Sequence, residues 1–540
     1  MTGIHRIEFI STLTSKGFYM SRITRKITIP VSIGYGLTDI MGGGAFTIIG
    51  AWLLFFYTTF VGLTPIEAAS IVAIARIVDA IVSLFMGSFT DHFYKTYLGK
   101  KFGRRRFFLL IGAPLMLVYS LLWITGMNYW FYLTIYLAFE IIAAIVLIPW
   151  ETLPSEMTKD FNARTKLSTC RMFISALGTF LATFIPSLLI KHFGEGNANA
   201  YLFNGIAFSI VFMVCVFISW KVTWERELTP EMYAELEKSQ IKRSAKEKIK
   251  AVGNLFKDYI STLKVRAFRK HLSIYLLSFT AKDVYNTVFV FFCVYCLSIS
   301  SSFAASLLSL SIVGLPVTLL AGVAMIQYGP AKLYVFAYSI MLLCLGGLLC
   351  VYLFPILNQA IVLIALAAFY QVGRCILEFT PWNVFPFIPD VDEMITRQRR
   401  EGLFAAVMTF SRKTTVAIAT FIVGILLQTG GFLKGSLVQP PEATHTIAMV
   451  LFIGTTLLLV GALVQALSFR LNKTTHKILV DEIDRLKAGG SKLSVEAKTR
   501  SVIEDLTGYR YDTLWCGEPN NATQDVAVPE LTIPASLRQD

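Results

Sequence analysis

The sequence predicts an all-α, polytopic membrane protein of twelve transmembrane helices in two halves of six. Three observations lead there. Of 540 residues, 55% are apolar and only 16% are charged, with a mean hydropathy of +0.61; a chain that had to cover a water-facing surface would carry more charge. Crossing the ~30 Å hydrocarbon core takes roughly 20 apolar residues per helix, and such runs recur from residue 32 to residue 468. A single long polar stretch, 221–270, separates the sixth run from the seventh.

The spans are expected at 32–60, 66–89, 107–127, 130–152, 167–190 and 200–220, then at 271–297, 303–327, 333–353, 358–384, 402–428 and 445–468. They divide the chain into an arm (1–30), a first half (31–220), a central loop (221–270), a second half (271–470) and a tail (471–540). The loop pattern from Glu231 to Leu236 and from Lys242 to Lys250 reads as amphipathic helix lying along the membrane face. In the tail, Ile478, Leu479, Ile483 and Leu486 end at Gly489-Gly490, and a second pattern, from Val495 to Leu506, ends at Gly508. Both suit short helices docked on the membrane protein's cytoplasmic face.

Topology accounts for the net charge of +14. With the N-terminus inside, 31 Lys and Arg fall in inward-facing segments up to residue 401, while outward-facing loops hold two, Lys191 and Lys434. That bias orients the bundle with both termini in the cytoplasm of a cell inner membrane and leaves nucleic acid no part as a partner. The eight cysteines form no disulfide framework, and Cys293 with Cys296 lies inside an apolar run, which reads as packing. The first 30 residues lack the compact apolar core of a cleavable signal peptide. Asn521-Ala522-Thr523 fits a glycosylation sequon but falls on the cytoplasmic side.

Twelve ionisable side chains lie within or at the edges of spans: Asp39, Arg76, Asp79, Glu140, Glu151, Arg171, Lys282, Asp283, Arg374, Glu378, Arg412 and Lys413. Each costs at least ~2.5 kcal/mol at mid-membrane, so such groups usually face a cavity and have partners. Six are acids and six are bases, so complete pairing is possible. Asp39 precedes Gly42-Gly43-Gly44, which lets the helix unwind or another backbone approach. Arg76 and Asp79 share a helix face and form either a self-satisfied pair or a cation-responsive carboxylate beside a guanidinium. Arg374 and Glu378, spaced i, i+4, suit an internal pair. Lys282-Asp283 is expected within a turn or two of the cytoplasmic end, where snorkelling is cheap. At least one of Arg412 and Lys413 must face the central cavity. Glu140 has no obvious local partner.

Several motifs, in order, resemble those of the glycoside–pentoside–hexuronide:cation symporters, the relatives of melibiose permease. They are Ala75-Arg76-Ile77-Val78-Asp79-Ala80, then Met86-Gly87 with Gly103-Arg104-Arg105-Arg106-Phe107-Phe108, then Ile148-Pro149-Trp150, and finally Pro389-Asp390-Val391-Asp392-Glu393 with Arg399-Arg400-Glu401-Gly402. The resemblance covers 31–470 and implies the major facilitator fold and sugar symport. It implies sugar-site roles for Asp39, Arg171, Trp382, Thr409 and Lys413, and a cation-site role for Asp79. The family's second cation-site acid is Ser83 here, its fourth-helix sugar-binding acid is Leu147, and the aromatic one turn later is Glu151. The site residues expected on both grounds are therefore Asp39, Glu151, Arg171, Arg374, Trp382, Thr409 and Lys413 for substrate, with Asp79 and Ser83 for the cation.

The expected function is secondary active import of a glycoside, uronide or short oligosaccharide by alternating access. An acidic sugar is slightly favoured, because basic groups remain where the fourth-helix acid has gone. The coupling ion is H⁺ or Na⁺, with H⁺ favoured by the single carboxylate, and no other cofactor is expected. A membrane enzyme or a non-transporting sugar sensor are the alternatives. No ATP-binding motif appears, and the six histidines, at 5, 92, 192, 271, 445 and 476, show no metal-ligand spacing.

Overall fold

A computed structural model describes residues 26–225, 257 and 259–515, less 159, 355, 356 and 399. The expected amphipathic segments of the central loop, most of the N-terminal arm and the sequon lie outside the described residues. Among those described, every regular element is helical. In chain order they are α1 (Ile29–Val61), α2 (Pro65–His92), α3 (Arg106–Leu121), α4 (Tyr129–Met157), α5 (Phe161–Phe193), α6 (Asn199–Val222), α7 (Arg266–Cys296) and α8 (Ser301–Tyr328). There follow α9 (Pro330–Leu353), α10 (Gln359–Thr396), α11 (Glu401–Thr429), α12 (Pro441–Leu467), α13 (Lys473–Lys487) and α14 (Ala497–Thr507). Ten of these are long and apolar enough to span a bilayer. The 28-residue α2 and the shorter apolar α3 fill the second and third places.

Local sequence explains where the helices start and bend. Thr64 caps α2, its hydroxyl accepting from the Glu67 N–H while the Glu67 carboxylate accepts from the Thr64 N–H. Around Gly42-Gly43-Gly44, α1 widens into a π-type turn over Met41–Ala45. A Cβ on Gly43 would stand 2.7 Å from the Ser175 carbonyl oxygen of α5, so glycine is what lets α1 and α5 meet backbone to backbone. This is the close approach expected from the triple glycine.

The resembling motifs at the helix ends are braces. Gly103 takes φ +94°, and the backbone N–H groups of Arg104, Arg105 and Arg106 donate to the Glu225 carboxylate at 3.0, 2.9 and 2.6 Å. The carboxylate thus sits at the N-terminus of α3, where unpaired N–H groups and the helix dipole favour an anion. The side chains of Arg104 and Arg105 hold Glu156 at 2.6 and 2.8 Å. In the second half, Arg400 grips Asp392 with two bonds of 2.6 and 2.8 Å.

The tail folds as expected and docks on the second half. Leu479, Ile483, Leu486, Ile503 and Leu506 are buried. His476 meets Asp390 at 2.7 Å, Lys487 meets Glu393 at 2.6 Å, and Arg266 meets Asp505 at 3.3 Å. This face is called the tail end below, and the opposite face the far end.

At the far end the two halves are closed on each other. The Phe55 ring of the first half meets Phe291 edge to face and Tyr295 at a tilt, both of the second half. Tyr295 and Thr59 share a hydrogen bond of 2.9 Å, the Gly435 N–H donates to the Thr58 carbonyl at 2.8 Å, and the Ile66 N–H donates to Gln428 at 3.1 Å. A Cβ on Gly424 would lie 2.3 Å from Ala69, so α2 and α11 are in tight contact there.

Candidate functional site

The charged residues inside the bundle form five groups, and each of the twelve has an opposite charge within reach. In the first half, Arg171 donates to Asp39 at 3.0 Å and to Glu151 at 2.8 Å, linking α5 to α1 and α4. Its guanidinium lies over the Trp150 ring, 4.5 Å from the centroid. Trp150 is fixed in turn by its indole N–H, which donates to the Tyr35 carbonyl at 2.9 Å, and by stacking on Tyr35. Asp39 is buried, whereas the Glu151 side chain is 51% exposed. Two acids share one base, so this group carries a surplus negative charge.

At mid-depth, Lys413 of α11 bridges to α2. Its ammonium lies 2.6 Å from Asp79 and donates to the Ser83 hydroxyl, also at 2.6 Å, and Ser83 donates to Asp79 at 3.1 Å. Of the two readings of Arg76 and Asp79, the self-satisfied pair does not form. Three residues apart on α2, the two side chains meet different neighbours, and Arg76 turns to Glu140 of α4 at 3.4 Å. Glu140, which has no local partner in the sequence, thereby gains one through the fold.

In the second half, Glu378 accepts from both Lys282 at 3.1 Å and Arg374 at 3.2 Å, and Arg374 also donates to Asn286 at 3.3 Å. Two bases share one acid, which leaves a surplus positive charge. The i, i+4 pair of Arg374 with Glu378 is thus present. Lys282-Asp283 departs from expectation: α7 begins at Arg266, so the dipeptide lies more than four turns inside the helix. There Asp283 pairs with Arg412 at 2.6 Å. The cations of Lys282 and Arg412 both approach the Phe279 ring, at 4.6 and 5.2 Å. Trp382 is 47% exposed and packs edge-on against Tyr275.

The fold therefore brings Asp39, Glu151 and Arg171 together, and Asp79, Ser83 and Lys413 together. It puts Arg374 and Trp382 in the other half, away from the Arg171 group. Thr409 is exposed on α11, one turn nearer the tail end than Lys413. Sequence reasoning did not select Lys282, Glu378, Arg412 or Asp283 as site residues. Their signal was their intramembrane position alone, which does not say which of several helices supplies the partner.

Glu195, in the far-end turn after α5, latches the halves. It accepts from the hydroxyls of Ser301 and Ser302 and from the Ser302 N–H at 3.2 Å, at the start of α8. Partial burial alone would raise its pKa, but these donors hold the carboxyl below its ordinary value of 4.5. The latch is therefore intact above pH 4.5 and is lost only as pH falls through the lowered value. Glu195→Gln is expected to speed labelling of a Thr59→Cys probe, in a background cleared of native cysteines, by about tenfold, equal to 1.4 kcal/mol. The unaltered latch should give a flat labelling profile, after correction for thiol ionisation, from pH 5 to 8.

Comparison with known proteins agrees with this architecture. A family model described as MFS/sugar transport protein matches residues 34–473. The isoprimeverose transporter of Lactiplantibacillus pentosus is 24% identical, over 79% of this chain and 86% of its own. The glucuronide carrier protein homolog of Escherichia coli strain K12 is 23% identical, over 84% of this chain and 95% of its own. Among solved structures, a D-xylose-proton symporter superposes with a TM-score of 0.58 at 15% identity, over 82% of this chain and 96% of that one. That likeness speaks to the fold.

Proposed function

The chain belongs to the MFS/sugar transport protein family and imports sugar together with a cation; we propose that its cargo is an acidic sugar, such as a uronide, and that protons drive it. The observation that carries the cargo reading is the sharing of Glu378 by Lys282 and Arg374. A second carboxylate, brought by the sugar, would balance the surplus base. Arginine can hold such a group with two parallel hydrogen bonds. The exposed Trp382 ring beside this group suits stacking on a sugar face. The Arg171 group, with its surplus acid, suits the hydroxyls of the same sugar, which can donate to Glu151. A relative named for glucuronide carriage adds weight.

Proton coupling is supported by a single carboxylate, Asp79, held by Lys413 and Ser83 rather than by a second acid. A dehydrated sodium ion prefers several oxygen ligands, and the ammonium already occupies that position. The Lys/Arg bias supports a plasma (inner) membrane protein with the tail end in the cytoplasm. With the far end closed and Glu151 and Glu378 still accessible, the structure then corresponds to an inward-facing state.

One experiment tests the cargo reading. Vesicles containing the protein and one labelled substrate are challenged with matched panels of neutral glycosides and their uronides. Uronides are expected to compete about tenfold more strongly, and Lys282→Met to abolish that preference. Competition by neutral sugars alone would sink the reading. Uptake driven by sodium at fixed pH and indifferent to a proton uncoupler would sink the proton part separately.

A further inference from the structure

We infer that Glu140 is a second proton-binding carboxylate of the transport cycle, its protonation set by which acid holds Arg76; this rests on the reading that protons drive transport. Glu140 lies on α4 with no exposed surface. Its ion pair with Arg76 is loose, at 3.4 Å, and besides that guanidinium the Tyr136 hydroxyl is the donor that reaches the carboxylate. A buried structural carboxylate is normally held by an ion pair of close geometry and by further hydrogen bonds. This one has one phenol and one loosely held guanidinium, whose Nε is itself unpartnered.

That guanidinium has somewhere else to go. Asp79 is three residues further along α2 and shares its face. In the present state Asp79 is occupied by Lys413 of α11. When sugar draws Lys413 away, or when α2 and α11 part, Asp79 is left without a cation and Arg76 can turn to it. Glu140 then faces no base and takes up a proton. Tyr136, one turn earlier on α4, reaches Glu140 with its buried hydroxyl, which donates to the carboxylate and can accept from the protonated acid. When Lys413 returns to Asp79, Arg76 swings back and the proton leaves. The balance is one proton bound and one released per cycle, with no net change in the protein.

The charged and titratable groups around this switch are Arg76 and Asp79 of α2, Tyr136 of α4, Lys413 of α11 and, beyond Arg76, Asp283 of α7. The Phe46 ring, 4.6 Å from the Arg76 guanidinium, leaves that side without a competing acid.

The test is proton movement in lightly buffered vesicles, read with a pH dye during uptake of labelled sugar. In the unaltered protein, protons should enter with sugar. Glu140→Gln should lower the proton-to-sugar ratio by about one and flatten the dependence of sugar affinity on pH, while sugar exchange at equal concentrations persists. Because that substitution leaves Arg76 buried without an acid, Glu140→Gln combined with Arg76→Gln removes both charges and should show the same loss. An unchanged ratio and an unchanged pH profile in both variants would overturn this inference alone. Sodium entry without proton movement in the unaltered protein would overturn the coupling reading and this inference with it.

Discussion

Asp79→Asn is expected to lower gradient-driven sugar uptake by on the order of 100-fold, or about 2.7 kcal/mol, while exchange of sugar between equal pools continues. Asp79 is the acid through which the two halves touch at mid-depth: Lys413 reaches it from α11 at 2.6 Å, and Ser83 donates to it at 3.1 Å. Asparagine preserves the shape and one hydrogen bond but cannot attract an ammonium or a guanidinium. The pair is therefore expected to stop responding to the gradient, while the charged group around Arg171 remains. Removing one partner of a buried pair costs about 3–5 kcal/mol, and the partial exposure of Lys413 brings the expected cost just below that range. Asp79→Asn with Lys413→Met removes both charges and guards against a folding defect. Accumulation of labelled sugar against an imposed pH gradient, beside equilibrium exchange, is the measurement. Concentrative uptake at the unaltered rate would remove Asp79 from the mechanism.

Arg171→Ala is expected to weaken sugar binding by about 100-fold, again near 2.7 kcal/mol. The side chain has three tasks at once: it holds Asp39 at 3.0 Å, holds Glu151 at 2.8 Å and lies over Trp150. Without it, two carboxylates face each other with no cation, and the ring loses its cover. Arg171→Lys should recover little, because a point charge cannot form the planar fork that reaches both acids and stacks on the indole. Glu151→Gln should be milder, a few-fold, since an exposed partner is already solvated and screened. Sugar titration calorimetry on purified protein would rank the three. Wild-type affinity in Arg171→Lys would show that the fork is not used.

The sequence by itself determined the helices, their order and their polarity of charge. Apolar run length decides whether a segment can cross a bilayer, and Lys/Arg placement decides which way, and both are written along the chain. It also determined the tail helices, whose apolar spacing at Leu479, Ile483 and Leu486 matches the buried face. Pairings close in sequence were legible, as with Arg374 and Glu378, because helix geometry fixes neighbours at i, i+4. Only the tertiary structure decided the partners of Arg76, Asp79, Lys282 and Arg412. A local rule put Arg76 with Asp79, yet packing gave Arg76 to Glu140 of α4 and Asp79 to Lys413 of α11. The sequence states that six acids and six bases must be satisfied in a low-dielectric interior. Which acid meets which base depends on how seven helices rotate and lean against one another, and that choice divides the surplus charge between the two halves.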